Sequence, residues 1–251
     1  MFTSSDCLAG QLSNRGQNLI GLWHLNDGLG TQVQDSTDGG ATGTFGGTSP
    51  IWATGKFGQS LKFSNLVFNY VTFANESRFD FAKADPFYIV AWTKFTAQSA
   101  GGWVVSKMAG TGTLAGWILG HSTFKNGDVY MRVQNASNSR CEKATANAYP
   151  DNGTQWHLLI GWWDGTNDCD SGIGLYVDGS SVPLTNGSSG TGINNEILNN
   201  AGVSLSGNGS AGIVGGYIDE VAIYRGKITL EDAKRIYGVF NSRRMSESSE
   251  N

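Results

Sequence analysis

Apolar and polar residues alternate with a period of two along much of the chain, the spacing that sends strand side chains to opposite faces. In DVYMRVQN (128–135), Val129, Met131 and Val133 share one face while Tyr130 and Arg132 take the other. GIGLYVDG (172–179) repeats the pattern with Ile173, Leu175 and Val177. Strands of this kind predict antiparallel sheet with one covered face. FYIVAWTKF (87–95) and QWHLLIGWW (155–163) are apolar on both faces. A short buried helix has the same composition, but their β-branched and aromatic content favours strands covered on two sides. NLIGLWHL, SLKF, YVTF, WVVSK, GWILGH, VSLS and YIDEVAIY are shorter candidates. Together they predict roughly a dozen strands at the close spacing of a sandwich.

Asn-Gly or Asp-Gly pairs at 126–127, 164–165 and 178–179 supply the positive φ angles of tight hairpins. One short helix is predicted after the last strand. Thr229 is its N-cap, Glu231 and Asp232 lie in its first turn, Lys234 and Arg235 follow, and Gly238 is placed to end it. Low complexity is confined to the 185–212 loop and the SESSEN tail. The chain therefore divides into an N-terminal arm (1–18), a domain (19–240) and a tail (241–251).

Composition supports one β-rich core. The 251 residues include 36 Gly and only 4 Pro, and 15% are charged, below the roughly 25% of ordinary soluble domains. The net charge is −4, and the only basic cluster is Arg243-Arg244, which argues against a nucleic-acid ligand. No apolar run reaches transmembrane length, and no basic segment followed by an apolar core opens the chain. Three cysteines, Cys7, Cys141 and Cys169, cannot form a closed framework. Free thiols are the plainer reading; the alternative is a bridge between Cys141 and Cys169, which flank the Trp156–Trp163 segment.

Five blocks in order resemble the laminin-G-like, or concanavalin A-like lectin/glucanase, jelly-roll domains. They are GLWHLNDGLGTQVQDST (21–37), GKFGQSLKF with YVTF (55–73), FYIVAWTKF with VVSK, TQWHLLIGWWDG with LYVDGSSV (154–182), and GYIDEVAIYRGKITLEDAKRIY. The resemblance covers about residues 20–238 and implies an all-β fold: a two-sheet antiparallel jelly-roll β-sandwich with one short C-terminal helix. It implies less about function, because one scaffold serves lectins, adhesion modules, glycosidases and structural appendages.

Asp219 and Glu220 are the residues that raise the enzyme question. The family's glucanases place acids on one strand face in a pattern like Glu-x-Asp-x-x-Glu, and a retaining pair must stand about 5–5.5 Å apart. Here the two acids are consecutive, so alternation sends them to opposite faces, and positions 217, 218, 221 and 222 carry no carboxylate. No catalytic residue is assigned, and the chain is read as a non-enzyme. His24, His121 and His157 fit no metal or nucleophile motif and read as ordinary strand residues.

Some members of the resembling family hold a structural calcium ion, which here implies Asp35 and Asp219 as ligands, with loop carbonyls completing the shell. A turn at Asp35 and a buried hydrogen bond at Asp219 are the alternatives. Sugar binding needs an exposed aromatic beside polar groups, and the Trp162-Trp163 pair provides the candidates. One faces the core and the other the outside, where a loop, the arm or a partner subunit is the competing cover.

These readings predict a non-enzymatic, surface-displayed structural or adhesion protein, most concretely a bacteriophage capsid-decoration protein on the virion surface. Its expected partners are other virion subunits or copies of itself, without nucleic acid and without membrane insertion. The alternative is an extracellular carbohydrate-binding module that binds surface glycans, and a glycoside hydrolase is the third class.

Overall fold

The computed structural model describes residues 18–97, 102–108, 114–122, 128–146, 153–187 and 192–247. The arm up to residue 17, the Asn126-Gly127 pair and the last four residues lie outside the described residues. In chain order the strands are β1 (Asn18–Trp23), β2 (Gln32–Val33), β3 (Gly43–Gly47), β4 (Ile51–Thr54), β5 (Gln59–Phe63), β6 (Asn69–Phe73), β7 (Phe87–Ala97), β8 (Gly102–Met108) and β9 (Gly116–Ser122). They continue with β10 (Asp128–Gln134), β11 (Arg140–Thr145), β12 (His157–Trp163), β13 (Ile173–Val177), β14 (Ser180–Ser181), β15 (Leu184–Asn186), β16 (Ser204–Leu205) and β17 (Gly215–Arg225). One helix, α1 (Leu230–Glu247), follows.

The strands form two sheets. Sheet A runs β14-β13-β12-β7-β17-β5-β4, with β1 also paired to β17; sheet B runs β15-β11-β10-β9-β8-β16-β6-β3-β2. Neighbouring strands are antiparallel throughout the described pairings, from β1 on β17 to β8 on β9.

Alternation builds the core between the sheets. Val129, Met131 and Val133 from β10 and Ile173, Leu175 and Val177 from β13 all enter it, joined by Ile89, Ala91, Leu159 and Trp163. Gly161 lets the layers approach: a Cβ there would stand 2.8 Å from the Met131 sulfur and 3.1 Å from Leu119 of the opposite sheet. The doubly apolar strands β7 and β12 are covered on their other face too, where Tyr88, Val90, Trp92, Leu158 and Ile160 pack with Ala233, Ile236 and Phe240 of α1.

The low-complexity 185–212 segment is drawn into the structure more than its composition suggests. Ile193, Ile197 and Val203 are core residues, and Lys107, buried on β8, donates to the carbonyls of Asn199 and Ala201 at 2.8 Å while pairing with Glu76 and Asp80. Cys141 on β11 and Cys169 in the β12–β13 loop form a disulfide with a Cα–Cα distance of 4.8 Å. It ties sheet B to a loop of sheet A.

Thr229 caps α1 in a capping box: its hydroxyl accepts from the Asp232 N–H at 3.2 Å, and Asp232 accepts from the Thr229 N–H at 3.0 Å. The helix does not stop at Gly238, as the sequence predicts, but continues to Glu247 and takes in the start of the expected tail. Phe240 stacks on Phe57 at 5.5 Å and meets Trp92 edge-on at 5.9 Å. That packing outweighs the roughly 1 kcal/mol a helical glycine costs.

Candidate functional site

The face of sheet A turned away from sheet B is built of cross-strand rows. Tyr88 of β7 lies between Trp162 of β12 and Tyr224 of β17, and the two tyrosine rings stack at 4.5 Å. Trp92 lies between Leu158 and Asp219. Helix α1 covers these rows, with Tyr237 and Phe240 both about 5.9 Å from the Trp92 ring. Burial pushes the hydroxyls of Tyr88 and Tyr224 well above the usual phenol range, helped at Tyr88 by Tyr224 and at Tyr224 by Glu220.

Asp219 and Glu220 sit where β17 changes partner. Gly216–Ile218 pair with β5, Val221–Arg225 pair with β1, and the two acids fill the gap between. Against β7 the register slips by one residue, from Asp219 opposite Trp92 to Ala222 opposite Val90, and Glu220 takes a φ of 48°. This is a β-bulge. Ile218 and Val221 consequently both enter the core, while Ala222 and Tyr224 face α1. The acids therefore do not straddle the sheet as unbroken alternation predicts.

Each acid closes one side of the gap. Asp219 Oδ2 accepts the N–H groups of Lys56 (2.8 Å) and Phe57 (3.0 Å) in the β4–β5 turn, and its Oδ1 accepts the Glu220 N–H at 2.9 Å. Glu220 Oε2 lies 2.7 Å from His24 Nδ1, just past the end of β1. Gly55 makes room, since a Cβ there would stand 2.6 Å from the Asp219 carboxylate. Burial, and then the charge of Glu220, push the Asp219 carboxyl well above the usual carboxylate range against the pull of its three amide donors. Asp219 is 0% and Glu220 1% exposed, so the pair is closed to a substrate in this fold.

The candidate calcium ligands are engaged in different hydrogen-bond systems. Asp35 accepts from the N–H groups of Leu22, Thr37 and Ala41 and from the Thr37 hydroxyl, so it braces the turn after β2. Asp219 has the separate set given above. Among the described residues no group of three or more His, Cys, Asp or Glu side chains gathers as a metal site.

The tryptophan pair separates as strand geometry requires. Trp163 is 0% exposed and donates its indole N–H to the Lys83 carbonyl at 2.7 Å. It is core, which removes it as a glycan contact. Trp162 is half-buried on the outer face, stacked with Tyr176 at 6.1 Å, with its ring over Gly174.

A further row on the same face was not singled out by the sequence. Tyr217 of β17 pairs with Lys94 of β7 on one side and Lys62 of β5 on the other, and Lys62 pairs with Ile51 of β4. Trp156 stands at the head of β12, one residue before the His157–Thr93 pair. Lys94 Nζ lies 4.2 Å from the Tyr217 ring and 5.2 Å from the Trp156 ring, Lys62 Nζ lies 5.6 Å from Tyr217, and the two rings meet at 6.1 Å. Trp156, Lys94 and Tyr217 are half-buried and Lys62 is exposed. The result is a stripe of aromatic and cationic groups crossing four strands.

Comparisons with known proteins address the fold. No curated protein matches the sequence. The binding domain of Paraclostridial Mosquitocidal Protein 1 is 14% identical, with a TM-score of 0.64 over 88% of this chain and 52% of that one. Domain 4 of AbnA, a GH43 extracellular arabinanase from Geobacillus stearothermophilus solved in complex with arabinotriose, is 16% identical, with a TM-score of 0.63 over 88% of this chain and 98% of that one. The binding domain of botulinum neurotoxin DC in complex with SialylT is 13% identical, with a TM-score of 0.58 over 89% and 52%. The chain spans about half the length of these toxin binding domains. The family model for the concanavalin A-like lectin/glucanases superfamily matches residues 65–234. With two antiparallel sheets, a jelly-roll core and a family match over more than half its length, the chain belongs to the concanavalin A-like lectin/glucanase superfamily.

Proposed function

We propose that the protein is a non-catalytic module acting at an extracellular or particle surface, and that it binds carbohydrate on the outer face of sheet A. The observation that carries this reading is the stripe of Trp156 and Tyr217 flanked by Lys94 and Lys62. Aromatic faces beside a few placed polar donors are what a sugar ring needs, because its C–H faces pack on the ring while its hydroxyls take hydrogen bonds. Three observations support it. The acid pair is sealed inside the sheet, the disulfide suits an oxidising compartment, and no helix of the described residues is long and apolar enough to cross a membrane. In keeping with this reading, the similar AbnA domain was solved in complex with arabinotriose and the neurotoxin DC binding domain in complex with SialylT.

Glycan-array screening followed by calorimetry tests the proposal. Trp156→Ala and Tyr217→Ala are expected to weaken binding at least about tenfold, as loss of a central aromatic contact does, with the circular dichroism spectrum unchanged. Trp162→Ala, at the far end of β12, should leave binding intact. Loss on Trp162→Ala alone would move the site there, and no binding to any glycan would end the reading.

The narrower role as a bacteriophage capsid-decoration protein is a proposal about where the module is displayed. It rests on the expected N-terminal arm, whose residues 1–17 lie outside the described residues. Mass spectrometry of purified particles tests it, and absence of the chain would exclude it.

A further inference from the structure

We infer that the stripe selects acidic polysaccharides, specifically chains of uronic acid, over neutral ones. The inference rests on the carbohydrate reading above and names its ligand class.

The lysines carry the argument. Lys94 and Lys62 flank Tyr217 on adjacent strands, opposite it in register. Four other lysines find carboxylates: Lys107 pairs with Glu76 and Asp80, Lys143 with Asp170, Lys227 with Asp164 and Lys234 with Glu231, while Lys83 donates to the Asn194 carbonyl and Lys56 stands over the Trp92 ring. Lys94 and Lys62 pair with no carboxylate among the described residues. Among the described residues their ammonium groups stand over aromatic rings, at 4.2 and 5.2 Å for Lys94 and 5.6 Å for Lys62. Such contacts hold a cation over a ring face through the ring's quadrupole without using its N–H donors. Two positioned cations with no carboxylate partner among the described residues, on a protein of net charge −4, are a local exception to the overall charge. Long-range attraction therefore does not draw an anion to this protein, and only a ligand that seats its acids at the stripe gains from them.

Lys94 and Lys62 stand on strands two spacings apart, roughly 9–10 Å, and both side chains lean on the Tyr217 ring between them. A sugar chain laid along the row places rings on Trp156 and Tyr217 and a carboxylate near each ammonium. A neutral polysaccharide can use the rings and offer hydroxyls to the ammonium groups, but it lacks the opposite charge that a carboxylate brings to each of them.

The test uses the full chain in calorimetry with polygalacturonate, with its carboxyl-reduced neutral form, with sialylated oligosaccharides and with poly(U). Polygalacturonate is expected to bind about tenfold or more tighter than the reduced polymer, and to weaken as salt rises. Lys94→Gln and Lys62→Gln should each lower affinity for polygalacturonate by a larger factor than for the reduced polymer, with the melting temperature unchanged. Equal binding to both galactans overturns the acid selectivity and leaves the carbohydrate reading standing. Binding confined to sialylated oligosaccharides overturns the uronate assignment, and equally tight poly(U) binding reduces the stripe to a general polyanion contact. Failure of every glycan, neutral ones included, removes both readings.

Discussion

Two neighbourhoods share the outer face of sheet A and the same strands, yet differ in what covers them. Around Trp92 and Asp219, helix α1 and the β4–β5 turn exclude water, and every charged group is tied to a nearby donor or ring. Two residues along each strand, at Lys94 and Tyr217, the face holds half-buried rings and lysines that pair with no carboxylate among the described residues. The sequence draws the eye to the first, because two adjacent acids in a closing strand resemble catalytic machinery. The second has the accessible chemistry. In this sandwich, cover rather than residue type decides which groups are sealed into the fold and which stay open to solvent.

Substitutions on the two sides should separate these roles. Asp219→Ala removes the acceptor of three backbone N–H groups and is expected to cost about 3–4 kcal/mol of stability in urea unfolding. The same carboxyl gives a pH signature. Its folded-state value is raised, so it takes up a proton more readily folded than unfolded. That contribution to stability is present at low pH and is lost as pH rises from the ordinary carboxylate range through the raised value. Asp219→Asn, which cannot titrate, should gain stability relative to the parent over that rise; a constant difference across the range would contradict the raised value.

Phe240→Ala, which takes the helix's ring off Phe57 and Trp92, should cost about 3 kcal/mol and shift tryptophan fluorescence to the red. Gly238→Ala is expected to stabilise by about 0.5–1 kcal/mol, because nothing lies within 4 Å of a Cβ there. Lys94→Gln in the open neighbourhood should change melting by no more than about 0.5 kcal/mol while altering binding. A large loss of stability there would place the stripe among the structural groups.

Much of the scaffold is legible from pattern. Period-two spacing locates β10 and β13 and assigns their core faces, the doubly apolar runs locate the central strands β7 and β12, and Thr229 with Asp232 marks the helix start. Gly238 misleads about the helix end because its signal is local, whereas Phe240 is held by residues distant in sequence. Alternation also fails at Glu220, because a left-handed glutamate carries none of the composition cues of glycine or asparagine. The Trp162-Trp163 split follows from strand geometry, but which ring goes inside depends on the partner sheet. The stripe has no sequence signature, since Lys62, Lys94, Trp156 and Tyr217 become neighbours only through the register of four strands. The nearest available signal is that Lys94 and Tyr217 fall on the outward phase of their strands, which pattern alone cannot align.

The extra residue in β17 also limits how the last strand can misassemble. Sliding β17 by one position along β7 would have to carry the bulge with it, pull Asp219 off the Lys56 and Phe57 amides and Glu220 off His24, and send Ile218 and Val221 away from the core. The acid pair thus serves as a ratchet stop. It lets two unconnected stretches of chain, the first strand and a hairpin, share one rail without either drifting out of step.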